Sequence, residues 1–289
     1  MRGSDMKKLL AGCLALGALT LGANAADIRA PVYKAPAVVP AVAYNWTGFY
    51  IGGNAGYDWT KSTDTVTAVP GAGSAAPGLI NNGSVATSLP LDPKGFIGGG
   101  QIGFNWQLST MWVVGLETDL QWANLNSTAA LPGPTDPSRI MTANEKLDWF
   151  GTARARAGIT PWDHALIYAT GGLAYGHVNL STALTRVNLA TGANTCVLPG
   201  GGANNCQSGS VSDTRFGWTV GGGLEWAFYN NWSLKAEYLY YDLGNISHLM
   251  ADPNFPTTTF NATADLKGSI ARVGLNYRFN GGAPVVTRY

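Results

Sequence analysis

The sequence is poor in charge. Of its 289 residues only 12% are Asp, Glu, Lys or Arg, against about 25% in an ordinary soluble protein, so a large part of the molecule faces something other than water. What charge there is nearly cancels, with a formal net charge of +1. No basic cluster stands out, which argues against a nucleic-acid partner. Histidine and cysteine are scarce, at three residues each, and no His lies within ten residues of Cys196 or Cys206. A metal site needs such ligands gathered together, so neither a metal nor a cofactor is expected. Long apolar runs are missing too. None reaches 18 residues, and a membrane helix takes about 20. A chain without membrane helices can sit in lipid only as a closed β-barrel, the other structure that satisfies every backbone group there.

The N-terminus carries the features of an export signal over residues 1–25. Lys7 and Lys8 precede the short apolar run Leu9 to Leu21, and Ala23-Asn24-Ala25 supplies the small-x-small cleavage pattern, with the cut between Ala25 and Ala26. Met1 to Asp5 precede a second start at Met6 and are read as a vector-derived remainder or a misassigned start. Leu10-Ala11-Gly12-Cys13 has the letters of a lipoprotein box, but it falls near the beginning of the apolar run, where cleavage leaves almost no hydrophobic segment. The oxidising compartment beyond the inner membrane favours a disulfide between Cys196 and Cys206 around a Gly-rich loop.

Residues 26–45 are rich in Ala, Pro and Val. Proline at this density opposes both helix and central strand, so an extended periplasmic tether is expected. From residue 46 to 279 the period is two. Phe49, Ile51, Ala55 and Tyr57 alternate with Tyr50, Asn54 and Asp58, while Val114, Leu116, Leu120 and Trp122 alternate with Glu117, Asp119 and Gln121. Eight such segments can be counted, the fifth (Ala165 to Leu180) being the least regular. They match an all-β, eight-stranded antiparallel up-and-down transmembrane barrel. Connections alternate long and short. About 35 residues follow the first strand, then a turn at Ser109-Thr110, a loop over Leu125 to Asn144, a turn at Pro161 to His164, a loop over Ala183 to Ser212, a turn at Tyr229 to Asn231 and a loop over Ser247 to Ala264. Membrane barrels sort their loops in this way, with short periplasmic turns and long external loops. Trp112, Trp149, Trp162, Trp232, Tyr277 and Phe279 are assigned to the short-turn rim, and Tyr57, Trp59 and Trp122 to the long-loop rim, as two interfacial girdles.

Asn45-Trp46-Thr47-Gly48-Phe49-Tyr50-Ile51-Gly52-Gly53-Asn54-Ala55-Gly56-Tyr57 resembles the first strand of the small outer-membrane immunogenic or porin-family proteins of alphaproteobacteria, relatives of the OmpA-like barrels. Tyr168 to Gly176 is similar to that family's fifth strand, and Val273 to Phe279 to its last. The resemblance covers nearly the whole mature chain. It implies residence in the outer membrane of a Gram-negative bacterium, insertion by the barrel-assembly machinery, and Phe279 as the terminal aromatic read during assembly. A C-terminal extension, residues 280–289, follows Phe279 and leaves Tyr289 as the alternative signal. Some members of the family bind hemin, a role that would fall here to His177 or His248.

By the alternation, Glu117, Asp119, Arg154, Arg156, Glu225, Lys235, Glu237, Arg272 and Arg278 point into the lumen, four acids and five bases. An eight-stranded barrel is only wide enough for side chains to fill, and buried ions must pair, so these charges are expected to form a polar plug; the alternative is a narrow or gated path for small solutes or ions. Catalysis is not expected. Ser181 and His177 share a strand face but stand about 13 Å apart at strand rise, and Gly98-x-Gly100-x-x-Gly103 matches a dinucleotide fingerprint inside a strand where no helix can begin. The expected role is structural, with surface display on the loops. The partners expected are outer-membrane lipid, lipopolysaccharide and a host or surface ligand, and the protein is expected to be a monomer or weak oligomer.

Overall fold

The computed structural model describes residues 44–196 and 206–279. The signal segment with its Ala25–Ala26 cut, the tether up to residue 43 and the extension 280–289 lie outside them.

Nine strands form one antiparallel sheet. They are β1 (Gly48–Val69), β2 (Ser88–Leu91), β3 (Lys94–Gln107), β4 (Trp112–Pro132), β5 (Arg139–Trp162), β6 (Ala165–Arg186), β7 (Gln207–Tyr229), β8 (Trp232–Met250) and β9 (Thr259–Arg278). Sequential strands pair along the chain, and β1 pairs with β9 from Tyr50↔Arg278 to Val69↔Thr259, which closes the sheet into a barrel. Eight strands cross the barrel. The ninth, β2, is a four-residue piece that pairs with β1 at Ser62 to Thr65, above the point where the β1–β3 ladder ends at Trp59↔Lys94. It carries the wall upward where β3 stops, and a short helix α1 (Ala76–Asn81) lies in the same connection. The turns at 108–111, 163–164 and 230–231 are short. In the last, Asn230 takes φ 38°, the left-handed conformation that two-residue hairpins require and Asn tolerates.

Most strands run to 19 residues or more, whereas about 9–11 suffice to cross the hydrocarbon. The excess lies at the long-loop end, and there the alternation changes sense. On β1, Phe49, Ile51, Tyr57 and Trp59 point outward and Asp58 is buried inside. From two residues further on, Lys61, Thr63, Thr65 and Thr67 point outward and Val66 is buried inside. On β9, Val273 and Leu275 face out low on the barrel, whereas Phe260, Ala262, Ala264 and Leu266 face in high on it. The reason is the medium: the outward residues meet lipid below and water above, so the apolar side switches while the strand keeps its pleat.

This inversion corrects the loop boundaries expected from the sequence. The segment Leu125 to Asn144 is mostly strand, leaving only 133–138 as a connection, and Ser247 to Ala264 contracts to 251–258. These stretches read as loops because their outward residues are Thr, Ser and Asn, as in loops, while the inward ones are too widely spaced to register as a core. Trp149 also changes rim. It pairs with Trp122 across β4–β5 and stands beside Tyr175 at the long-loop girdle, because β5 begins at Arg139 rather than near Trp149.

The inversion sets an expectation for outward-facing substitutions. Leu116→Arg, at mid-depth in the lipid-facing band, should cost about 2–4 kcal/mol. Ser247→Arg, outward but in water, should change stability by less than about 0.5 kcal/mol. Equilibrium unfolding from lipid vesicles measures both.

Candidate functional site

The lumen is where the chemically active side chains gather, and it has three levels. At the short-turn mouth the chain enters through Tyr44 and Trp46. Trp46 is buried against Val113, Leu166, Tyr168 and Ala227, with Tyr44 packed beside it. The Trp46 backbone N–H donates to Gln107 Oε1 at 2.8 Å, and Gln107 N–H donates to Thr47 Oγ1 at 3.0 Å. The Arg278 guanidinium lies 4.1 Å from the centre of the Tyr44 ring.

Above this level lies an ion network at mid-membrane depth. Its foundation is cross-strand register: Glu117↔Arg154, Glu225↔Lys235 and Glu237↔Arg272 are direct neighbours, the sheet arrangement in which opposite charges attract. Arg154 sits at the centre, bonded to Glu117, to Asp119 at 3.1 Å and to Glu237 at 3.0 Å. Lys235 reaches across the lumen to Glu117 at 2.8 Å. Arg272 bonds Asp119 at 2.8 Å and Glu237 at 2.6 Å. Arg156 pairs with Glu225 at 3.1 Å, which also accepts from Ser233 and Asn276.

The structure thus joins eight of the nine inward charges, four acids and four bases. Arg278 stands apart from them, on the Tyr44 ring, in no ion pair among the described residues. The separation follows from position, since Arg278 is the last residue of β9 and lies at the mouth.

Sequence reasoning passed over the tyrosines that complete this level. Tyr50 donates to Glu117 at 2.6 Å and Tyr168 to Glu237 at 2.9 Å. Their rings flank the Arg156 guanidinium, each centre 5.0 Å away, a cation–π sandwich. Each ring lies over an inward glycine. A Cβ at Gly103 would meet the Tyr50 hydroxyl at 2.3 Å, and one at Gly223 the Tyr168 hydroxyl at 2.6 Å. Gly103 belongs to the apparent dinucleotide fingerprint, which lies wholly within β3. Its glycine makes room for a tyrosine, and pairing an inward Gly with an inward aromatic on the adjacent strand is the signal that could have revealed these residues.

The third level, above the girdle of Tyr57, Trp59, Trp122 and Trp149, is apolar. Leu89, Leu91, Leu125, Met141, Leu180, Met250 and Phe260 form its packed centre, with Leu79 and Ile80 of α1 against it. A few polar groups are enclosed there. Thr182 donates to Asp64 at 2.7 Å, and Glu145 and His248 are buried near it. Burial pushes the Glu145 carboxyl up to about 7, with a hydrogen bond from Ser62 opposing and the charge of Asp64 adding to the rise. Burial also raises Asp64, and it lowers His248.

His248 and His177 lie on opposite sides of the wall. His177 is outside, stacked on Trp149 with Nε2 3.1 Å from Ser212 Oγ, so the two cannot grip one ligand together. Ser181 is not a partner of His177 in these contacts. Cys196 and Cys206 are joined in a disulfide in the β6–β7 connection. Phe279 N–H donates to Phe49 O at 2.8 Å, placing its exposed ring beside Phe49 and Tyr277 at the short-turn rim.

A closed antiparallel barrel with an apolar outer band between two aromatic girdles, and with the charge at the level of that band turned into its interior, is a transmembrane β-barrel of the outer-membrane type. The outer membrane protein beta-barrel domain model matches residues 11–279, and the chain belongs to that family. It is 36% identical over 257 residues to the 31 kDa outer-membrane immunogenic protein of Brucella melitensis, covering 89% of this chain and 93% of that protein. It is 28% identical to the 22 kDa outer membrane protein of Rhizobium leguminosarum bv. viciae, over 69% of this chain and 65% of that one. Among solved structures it is similar to the outer membrane protein OprG from Pseudomonas aeruginosa, with a TM-score of 0.47 and 10% identity over 83% of this chain and all of that one. The protein is an outer-membrane β-barrel protein.

Two outcomes follow. Arg154→Ala removes the cation shared by three buried carboxylates, leaving Lys235 and Arg272 alone to neutralise them, and should cost about 3–5 kcal/mol, the range for breaking a buried pair. Arg278→Ala leaves no carboxylate unpaired and should cost about 1–2 kcal/mol, near the value of one desolvated cation–π contact; urea unfolding in vesicles separates the two. The second concerns Glu145, whose folded pKa lies above its unfolded one. Its unfavourable contribution is absent below pH 4.5, grows as the unfolded carboxyl ionises, and is complete above about pH 7. Glu145→Gln should therefore match the parent at pH 4 and exceed its stability at pH 8. His248 acts in the opposite sense, losing stability as pH falls below 6.5, but it is common to both proteins and cancels in the comparison.

Proposed function

We propose that the protein is a non-enzymatic, non-conducting barrel that stiffens the outer membrane and presents a rigid, water-exposed rim at the cell surface. One observation carries this reading: side chains occupy the lumen at every level, from Trp46 through the Arg154-centred network to the packed apolar layer under α1. A hydrated ion entering from either mouth meets apolar side chains, and then charges already neutralised by one another. The long-loop rim supports the display part of the reading. Its strands continue past the girdle with Thr, Ser and Asn outward, so the surface offered to a host or surface ligand is a wall as well as loops. Ser212 lies beside His177, but the other ring nitrogen faces Thr214 rather than a carboxylate. That arrangement lacks the group that orients a catalytic imidazole.

A second reading, a small-conductance path, draws on a separate observation. Arg156 Nη2 and Arg272 Nη1 have no hydrogen-bond partner, so the network holds donors to which a passing anion could bind.

Planar-bilayer recording of the refolded protein discriminates between them. Silence across applied voltages is expected. A stable unitary conductance that shifts in Arg154→Ala or Glu117→Ala would overturn the non-conducting reading.

A further inference from the structure

The lipid-facing wall is not uniformly bulky. Around β8, β9 and β1 its outward positions at mid-depth are small: Gly53 and Ala55 on β1, Ala271 on β9 and Ala236 on β8. Two adjoining hollows, of about 770 and 720 Å³, share Ala55 and Val273 and form one shallow trough up the wall. Trp232 and Tyr277 border its lower part. Tyr57, Phe96 and Tyr238 border its upper part. In the membrane such a trough is filled by acyl chain.

What lies directly above it selects the chain's headgroup. The next outward pair after Tyr57↔Ala271 is Trp59↔Ser269, and the one after that is Lys61↔Lys267. Two lysines face each other across adjacent strands, an arrangement that repels unless an anion sits between them. Lys94 adjoins them, opposite Trp59. Lys61 and Lys94 enter no ion pair among the described residues, and Lys267 has only Asp242, at 3.8 Å. The other outward acids nearby, Asp92 and Asp265, lie at or beyond the level of the lysines, toward water. A lysine stem can lie along the aromatic rim and hold its ammonium at the headgroup level, a reach that a short aspartate side chain lacks.

We propose that the β8–β9–β1 face binds a phosphorylated glycolipid of the outer leaflet, the anchor of lipopolysaccharide, with an acyl chain in the trough and a phosphate between Lys61 and Lys267. The inference is independent of whether the lumen conducts.

Native mass spectrometry of the detergent-refolded full chain tests it, using bis-phosphorylated lipid A, the same glycolipid with its phosphates removed, phosphatidylethanolamine and inorganic pyrophosphate. Heat-modifiable migration on a gel confirms that each variant is folded. Retention of one bis-phosphorylated lipid A is expected, with at least about tenfold weaker retention in Lys61→Gln/Lys267→Gln, as two lysines near an anionic lipid surface imply. Ala55→Leu/Ala271→Leu fills the trough and should weaken retention of lipid A with and without phosphate. Lys146→Gln, on the far wall, should behave as the parent does. Equal retention of phosphatidylethanolamine, or unchanged lipid A binding in the double Lys variant, overturns the proposal. So does displacement of lipid A by pyrophosphate, which indicates a site for free phosphate, or a dimer abolished by Ala55→Leu/Ala271→Leu, which makes the trough a contact between two copies.

Discussion

Each strand that crosses this barrel begins in one solvent and ends in another, and the placement of nearly every side chain follows from that change. In lipid the outward positions must be apolar, and the polar groups that a β-strand also carries are turned inward, where they have to neutralise one another. In water the outward positions become Thr, Ser, Asn and Lys, and the interior can be built like that of a soluble protein. The crossover falls within two residues on β1, between Trp59 outward and Lys61 outward. Asp58, bonded to Tyr241 and Thr60, occupies the interior at the junction. The result is one continuous wall enclosing two interiors of opposite character.

The polar interior holds together because its members are mutually required. Glu117 accepts from Arg154, Lys235 and Tyr50, and Arg154 in turn serves three carboxylates. Such a network contributes little net stability compared with a well-packed apolar core, but an apolar core is awkward here. With lipid outside and oil inside, a strand would have no preferred face. The buried charges give each lower strand a definite inward side, and so fix the register in which three acid–base pairs meet across neighbouring strands. The apolar upper layer needs no such device, because water outside already distinguishes the two faces.

How much of this was legible in the sequence depended on which solvent a segment met. The lower strands were readable as strands because apolar and polar residues alternate sharply there, and the short turns punctuated them. Their inward charges could be named from parity alone, since a period of two leaves no choice of face. The upper halves read as loops. Thr63, Thr65, Ser247 and Asn261 look like loop residues when the expected outward residue is Leu. Their inward partners Val66, Ile246 and Phe260 become a core only when eight strands bring them together, and parity reveals no distance between strands. Tyr44 and Trp46 were missed for a different reason. Tyr44 falls in the expected tether and Trp46 at the very start of the periodic region, and nothing in their spacing shows that the chain turns into the mouth. The partners of the lumen tyrosines were hidden for a third, because a Tyr–Gly contact spans strands whose register is unknown beforehand.

The entry of the chain at Tyr44 has a mechanical side. Trp46 is bonded to Gln107 on β3, and Tyr44 lies on Arg278 of β9, the two strands that flank β1 in the closed wall. A pull delivered through the chain that enters there is therefore shared between both neighbours of β1 before it reaches β1 itself. An N-terminal strand held only by its ladder would unzip one rung at a time, each rung failing alone. Loaded through its two neighbours, the closing seam is sheared instead, so many rungs must yield together, and the barrel resists being opened from its short-turn mouth.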